Sequence, residues 1–264
     1  MSESQSFLDI WLNEAYGIVS DYFIFAGSAF LLFYFILKKP MWFRKVQKKL
    51  PKVNDYGRDI LYSLITVTIF ATAGLLIAFV WRPYTNLYND IDQYGMAYYL
   101  FTWVWMFFLH DTYFYWMHRL MHQPVLFKHV HLVHHKSTNP SPWTAYAFHP
   151  FEAVAEVGIL PLIAFTLPVH FPALGFFFLF QIIYNVYGHL GFELYPKGFN
   201  KHWLGRWVNT SVAHNLHHKG FRGNYGLYFL FWDRLMGTLR SDYDSTFDET
   251  TAKETEIKKQ EVLA

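Results

Sequence analysis

A backbone buried in hydrocarbon can satisfy its hydrogen bonds only as a helix or a closed barrel. Residues Tyr22 to Leu37 read as such a segment, being an almost uninterrupted apolar and aromatic run. Extended back to Gly17, the run reaches the roughly 20 residues that cross ~30 Å of hydrocarbon. Immediately after it come Lys38, Lys39, Arg44, Lys45, Lys48, Lys49, Lys52 and Arg58, whereas the loop from Arg82 to Gly95 sets one arginine against Asp90 and Asp92. The excess of cations places the first loop in the cytoplasm. A second span is expected from about Ile60 to Trp81, and a third from about Met96 to Trp116. The third brings everything from His118 onward to the side of the basic loop. Two shorter stretches, Ala153 to Leu167 and Ala173 to Gly188, are separated by Pro168, His170 and Pro172 and suit a helical hairpin that enters and leaves from that same face. The first twenty residues carry Glu3, Asp9 and Glu14 but no lysine or arginine, unlike a cleaved secretory signal, so this segment is expected to be retained. The tail after Ser241 is polar and is expected to fray.

Composition narrows the chemistry. With 53% hydrophobic, 22% aromatic and 16% charged residues the chain is too apolar for an ordinary soluble domain. It contains no cysteine, which excludes disulfides, a thiolate nucleophile, an iron–sulfur cluster and cysteine-ligated haem. A metal would have to be held by nitrogen or oxygen. The net charge of +2 and the lack of a basic recognition motif give no support to a nucleic-acid partner.

Fourteen histidines are present, and most fall into boxes: His118-Arg-Leu-Met-His122, His131-Leu-Val-His134-His135, His149-Pro150, Asn185-x-x-x-His189 and His214-Asn-Leu-His217-His218. Two copies of His-x-x-His-His are not an accident of composition. On a helix, residues i, i+3 and i+4 share a face, so each box is expected to aim its imidazoles at one point. Neutral imidazoles suit iron, zinc, copper or nickel. Ten histidines are enough for two ions, and five ligands apiece would leave a coordination position for a small molecule.

These boxes resemble those of the sterol desaturase and fatty acid hydroxylase superfamily. The resemblance runs from about Phe108 to Leu239 and includes His110-Asp111 ahead of the first box, Ala147-Phe148-His149-Pro150, Asn209 ahead of the last box, and a closing Asn224-Tyr225-Gly226 to Trp232-Asp233-Arg234 and Gly237-Thr238. The order of motifs is most similar to sterol C-5 desaturases. The resemblance implies two non-haem iron ions, dioxygen as co-substrate and electrons from a separate donor. Carried over by motif, the metal ligands are His118, His122, His131, His134, His135, His149, His189, His214, His217 and His218, with His118, His122, His131, His134, His135 and Asp111 as catalytic residues. The expected fold class is all-α: a polytopic helical membrane protein whose cytoplasmic helical cap holds the two-metal site. Residues 1–95 would form a transmembrane hairpin with its basic loop, 96–241 the fatty acid hydroxylase and sterol desaturase catalytic region, and 242–264 a polar tail.

Other residues carry weaker expectations. His110 lies too far along its helix from His122 to share an ion, so it is expected to line a substrate channel with Asp111. Asp111 is a candidate for orienting a ligand ring, whereas Arg119, which cannot accept that bond, is expected to pair with Asp111 or Asp233 or to meet a lipid headgroup. His129, His170 and His202 read as bystanders. Asn185 would orient a ligand or pack helices, and Tyr113, Trp116 and Trp143 could line an apolar tunnel. No glutamate is evident beside the boxes, in contrast to soluble di-iron bundles. No His-Pro-Gly-Gly haem signature is present, so electrons would come from a separate cytochrome b5 or ferredoxin system, docking near the basic loop. The expected partners are therefore a lipid substrate, the membrane and that donor, in a bacterial inner membrane or an endoplasmic reticulum. A zinc-dependent membrane hydrolase acting on lipid is the alternative from another reaction class.

Overall fold

The computed structural model describes residues 6–252. Helix α1 (Phe7–Ile36) starts at a reciprocal cap: Ser6 Oγ accepts from the Asp9 amide at 3.1 Å, and the Asp9 carboxylate accepts from the Ser6 amide at 3.0 Å. Many of its apolar side chains, among them Leu12, Ile24, Leu31 and Phe35, are exposed, whereas Tyr22 and Ala26 are fully buried. A helix that turns apolar groups outward over its whole length is suited to lipid. Helix α2 (Val53–Val80) runs antiparallel beside it. These two, together with Phe171–His189, are long and apolar enough to cross a membrane.

The third expected span falls inside α3 (Gly95–Met121), a 27-residue helix roughly 40 Å long. Its many Tyr and Trp rings leave it less apolar than the other three. Phe171–His189, expected as one arm of a shallow hairpin, has both the length and the apolarity to span. Small-residue and proline punctuation before it marks a turn, not a limit on the helix that follows.

After α3 come two short helices that carry histidines, α4 (Pro124–Val130) and α5 (Leu132–His135). Helix α6 (Pro150–Val157) and helix α7 (Ile159–Thr166) then lead away, and α8 (Phe171–His189) returns. The α6–α7 break lies at Gly158, where a β-carbon would meet the Tyr113 hydroxyl at 2.5 Å. A two-residue strand, β1 (Leu87–Tyr88), pairs in parallel with β2 (Val169–His170), so the loop after α2 and the turn before α8 meet at one end of the bundle. At the opposite end the basic loop is stitched to the histidine-bearing segments. Arg44 Nη1 donates to the Glu193 and Tyr195 carbonyls at 3.0 and 2.7 Å, and Gln47 Nε2 donates to the Thr138 carbonyl at 2.8 Å. Basic loop and histidine boxes thus share one end, as the alternation of spans requires.

The N-terminal helices are not a separate layer. Tyr22 and Ala26 of α1 pack with Ala145, Tyr146 and Ile182 in one cluster, and the Tyr22 hydroxyl donates to the Trp143 carbonyl at 2.9 Å. Helix α9 (Ser211–Gly220) is capped by Thr210, whose Oγ1 accepts from the Ala213 amide at 3.1 Å. Beyond α10 (Phe231–Leu235), the expected frayed tail is instead ordered through α11 (Tyr243–Thr251). Tyr243 and Phe247 are fully buried against Val212, Ala213 and Leu216 of α9. These two aromatics at helical spacing anchor a segment whose average composition is polar; residues 253–264 lie outside the described part.

Candidate metal centre

Nine imidazoles converge in two adjoining sets. His118, His122, His131, His135 and His217 form one, and His134, His189, His214 and His218 form the other, with all ligand atoms of each set within 4.8 Å of one another. The two His-x-x-His-His boxes do not each aim at one point. Each is divided: the i and i+4 histidines go to one set, His131 with His135 and His214 with His218, while the i+3 histidine, His134 or His217, goes to the other. Helical geometry explains this, since i+4 lies about 40° from i and i+3 about 60° on the other side. A box placed between two ions can serve both.

The rings are oriented through their Nδ1 atoms. His118 Nδ1 meets the Tyr225 carbonyl at 3.0 Å, His217 Nδ1 the Gly223 carbonyl at 2.7 Å, His218 Nδ1 the Ser137 carbonyl at 3.0 Å and His189 Nδ1 the Asn185 carbonyl at 2.8 Å. A carbonyl can only accept, so each of these Nδ1 atoms carries the proton and each Nε2 presents a lone pair. Those lone pairs face one another. His118 and His131 bring their Nε2 atoms to 3.0 Å, and His189 and His218 bring theirs to 3.2 Å. Two bare lone pairs at that distance repel unless a cation lies between them. An ion with bonds of ~2.1 Å holds neighbouring donors about 3 Å apart, which matches these spacings. The donor set therefore fits two divalent ions, five imidazoles on one and four on the other. Burial pushes the His118 ring down to about 4, and burial with the neighbouring imidazoles holds His135, His214, His217 and His218 well below the usual histidine range. All remain neutral ligands at physiological pH.

The sequence did not reveal Glu152. It is fully buried, and its Oε1 accepts from His131 Nδ1 at 2.6 Å, the one carboxylate among the described residues that supports a ligand ring. Its sole local signal is the His-Pro-Phe-Glu run, 21 residues after His131. The closing motif also acquires a task. Asp233 accepts from the Tyr225 and Gly226 amides at 2.9 and 2.8 Å, and from Thr238 Oγ1 at 2.7 Å. Together with Gly223 and Asn224, both at positive φ, it fixes the turn whose carbonyls orient His118 and His217.

Several expected residues lie elsewhere. His149 belongs to neither set: its Nδ1 accepts from the Phe151 amide at 3.3 Å and caps α6. Asp111 is not at the centre either. Its Oδ1 accepts from the Tyr228 and Phe229 amides at 2.8 and 3.1 Å, clamping a distant loop to α3. Although seven residues from His118 and on the same face, it lies about 10 Å further down the helix. Arg119 donates to the Tyr115 hydroxyl at 3.2 Å and lies over the Trp116 ring, with no ion pair to Asp111. Asn185 spends its side chain on the Ala145 carbonyl at 2.6 Å, while its backbone carbonyl orients His189. His129 faces solvent, His170 Nε2 meets the Asn89 carbonyl and His202 Nδ1 accepts from loop amides, so none approaches the centre.

A cavity of about 570 Å³ lies among α1, α2, α6, α7 and α8. His110 lines it, whereas Asp111, Tyr113, Trp116 and Trp143 do not. Phe114 stands between cavity and metal centre, its ring centroid 6.5 Å from that of His110 and 5.0 Å from that of His118.

A family model described as fatty acid hydroxylase matches residues 103–238, more than half of the chain and the stretch that contains all nine converging histidines. The chain belongs to the fatty acid hydroxylase family. Among curated relatives, this family member is 30% identical to a Delta(7)-sterol 5(6)-desaturase of Gibberella zeae over 83% of its length and 65% of the relative's. It is 32% identical to a Delta(7)-sterol 5(6)-desaturase of Aspergillus fumigatus over 96% of its length and 68% of that protein's. A lathosterol oxidase of Rattus norvegicus is 28% identical over 86% and 73% respectively. The chain thus spans about two thirds of the length of the relatives that it most fully overlaps. No solved structure matches it.

Proposed function

We propose that this chain is a membrane-bound non-haem di-iron oxidoreductase that hydroxylates or desaturates a lipid, using dioxygen and electrons from a separate protein. The observation that carries the reading is the pair of buried imidazole sets with their lone pairs turned inward. Relatives named as sterol desaturases and lathosterol oxidases support the reaction class. Bound iron would supply, with dioxygen, an oxidant for an unactivated C–H bond, which zinc, lacking redox chemistry, cannot. The protein's share is positional. Backbone carbonyls and Glu152 hold the rings in one tautomer and one direction, and the cavity walls keep an apolar chain away from water. By the positive-inside rule, the end that carries the basic loop and the boxes faces the cytoplasm, where a cytochrome b5 or ferredoxin type of donor could dock.

The test is lipid mass spectrometry of host membranes that contain the wild type or His118→Ala, with and without oxygen. Gain of an oxygen atom or loss of two hydrogen atoms in one lipid class, dependent on oxygen and on His118, is expected. A product that forms without oxygen would replace this reading with the zinc hydrolase.

A further inference from the structure

The two histidine sets draw on different parts of the chain. Behind the five-histidine set stand the Tyr225 and Gly223 carbonyls and Glu152. Behind the four-histidine set stand the Asn185 carbonyl at His189 and the Ser137 carbonyl, 3.0 Å from His218 Nδ1. Ser137 is buried and lies just past α5. Its amide donates to the His134 carbonyl at 3.3 Å, so this one residue bonds to two members of the set.

The Ser137 side chain turns the other way, to α2. Its Oγ lies 2.7 Å from both carboxylate oxygens of Asp59, to which it donates, and it accepts from Arg58 Nη2 at 2.6 Å. Asp59 is buried near the start of α2, accepts from Thr144 Oγ1 at 2.7 Å and is paired with Arg58 Nη2 at 3.0 Å. A buried carboxylate with a fixed counterion and two hydroxyl donors is held in one orientation. Beside it, Gln47 Nε2 donates to the Thr138 carbonyl at 2.8 Å and to Oδ1 of Asn215, the neighbour of His214, at 2.9 Å. Helix α5 has only four residues and cannot hold its own end rigid. Its end is held from outside, by α2 and the basic loop.

We propose that Asp59 is a positioning residue of the four-histidine set. Through the Ser137 hydroxyl it fixes the carbonyl that orients His218, and so α2 helps to retain one of the two ions. The inference rests on the two-ion reading of the site and adds to it a residue outside every histidine box.

The experiment uses the full chain in lipid nanodiscs, loaded with ferrous iron in the absence of oxygen, and follows the release of each ion to a chelator together with the unfolding temperature. Asp59→Asn and Ser137→Ala are each expected to weaken one ion about tenfold, the lower end of what loss of a ligand-orienting partner costs, with the second ion released as in the wild type. Because both act through one hydroxyl, the double substitution is expected to match Ser137→Ala alone. Thr144→Val removes a different hydrogen bond from the same carboxylate and is expected to lower the unfolding temperature with both ions held as before. Ser137→Ala combined with Glu152→Ala is expected to weaken both ions, since the two residues serve different sets. Unchanged release of both ions from Ser137→Ala, equal weakening of both, effects of Asp59 and Ser137 that add, or an equal loss in Thr144→Val overturns the proposal. Ser137→Ala decides the matter even where Asp59→Asn does not fold. A wild type that takes up fewer than two ions overturns the two-ion reading itself, and product formation plays no part in the measurement.

Discussion

The two histidine sets differ in what stands behind them. The five-histidine set has a buried carboxylate, Glu152, against His131, and one member, His122, that is not fully buried. The four-histidine set is fully buried and has carbonyl oxygens behind His189 and His218. Elsewhere at this end Lys45 is buried, its Nζ 3.3 Å from Asn139 Oδ1 and over the rings of Tyr34 and Phe192. Gly191, at φ +72°, leaves room for it; a β-carbon there would lie 2.6 Å from Nζ. A carboxylate behind an imidazole makes the ring a stronger donor. With one more ligand and the carboxylate, the five-histidine set should hold its ion more tightly, while the other keeps more coordination positions open.

The largest effects should come from removing a ligand. His131→Ala and His214→Ala should each abolish detectable product, with the bound-metal stoichiometry of the purified protein falling below two ions per chain. Full loading of either variant would break the division into five and four. Glu152→Ala should weaken one ion about 10- to 100-fold, as loss of a ring-orienting partner typically does, and chelator competition should show the second ion released as in the wild type. Equal weakening of both ions would erase the contrast. Asp111→Ala should cost about 1–3 kcal/mol of thermal stability by orphaning the buried Tyr228 amide and the half-buried Phe229 amide, with metal content intact.

The buried Lys45 gives a pH test that is independent of both sets. Burial pulls its ammonium down from 10.5 to about 7, so between those values the unfolded chain binds more protons and stability rises with pH. The slope should approach about 1 kcal/mol per pH unit in detergent-solubilised protein, and Lys45→Met should flatten it. The smallest effect belongs to His149→Ala, which should remove a helix cap at about 1 kcal/mol or less and leave both ions in place.

The residues that repeat were legible from sequence and the residues that close the site were not. Two His-x-x-His-His boxes announce a metal centre because chance does not produce them, and the alternation of spans and cations put them at the end that carries the basic loop. Their division between two sets was hidden, because a 3.6-residue period fixes the angles between side chains but not where the ions lie relative to the helix. Glu152 was illegible for another reason: its partner is 21 positions away, and nothing local distinguishes it from a helix-start glutamate. Asp111 illustrates the converse error. Sharing a helix face with His118 suggested a common task, but its partners are loop amides more than a hundred residues away. The ordered tail was missed because two buried aromatics outweigh an otherwise polar composition.

The divided boxes carry one more consequence. Helices α5 and α9 each lend rings to both sets, so whichever ion arrives first stiffens segments that the other also needs. Its neighbour then meets a site whose ordering entropy is already lost, and loading becomes positively cooperative. Titrated with metal, the chain should pass from empty to doubly filled with little of the singly filled form between.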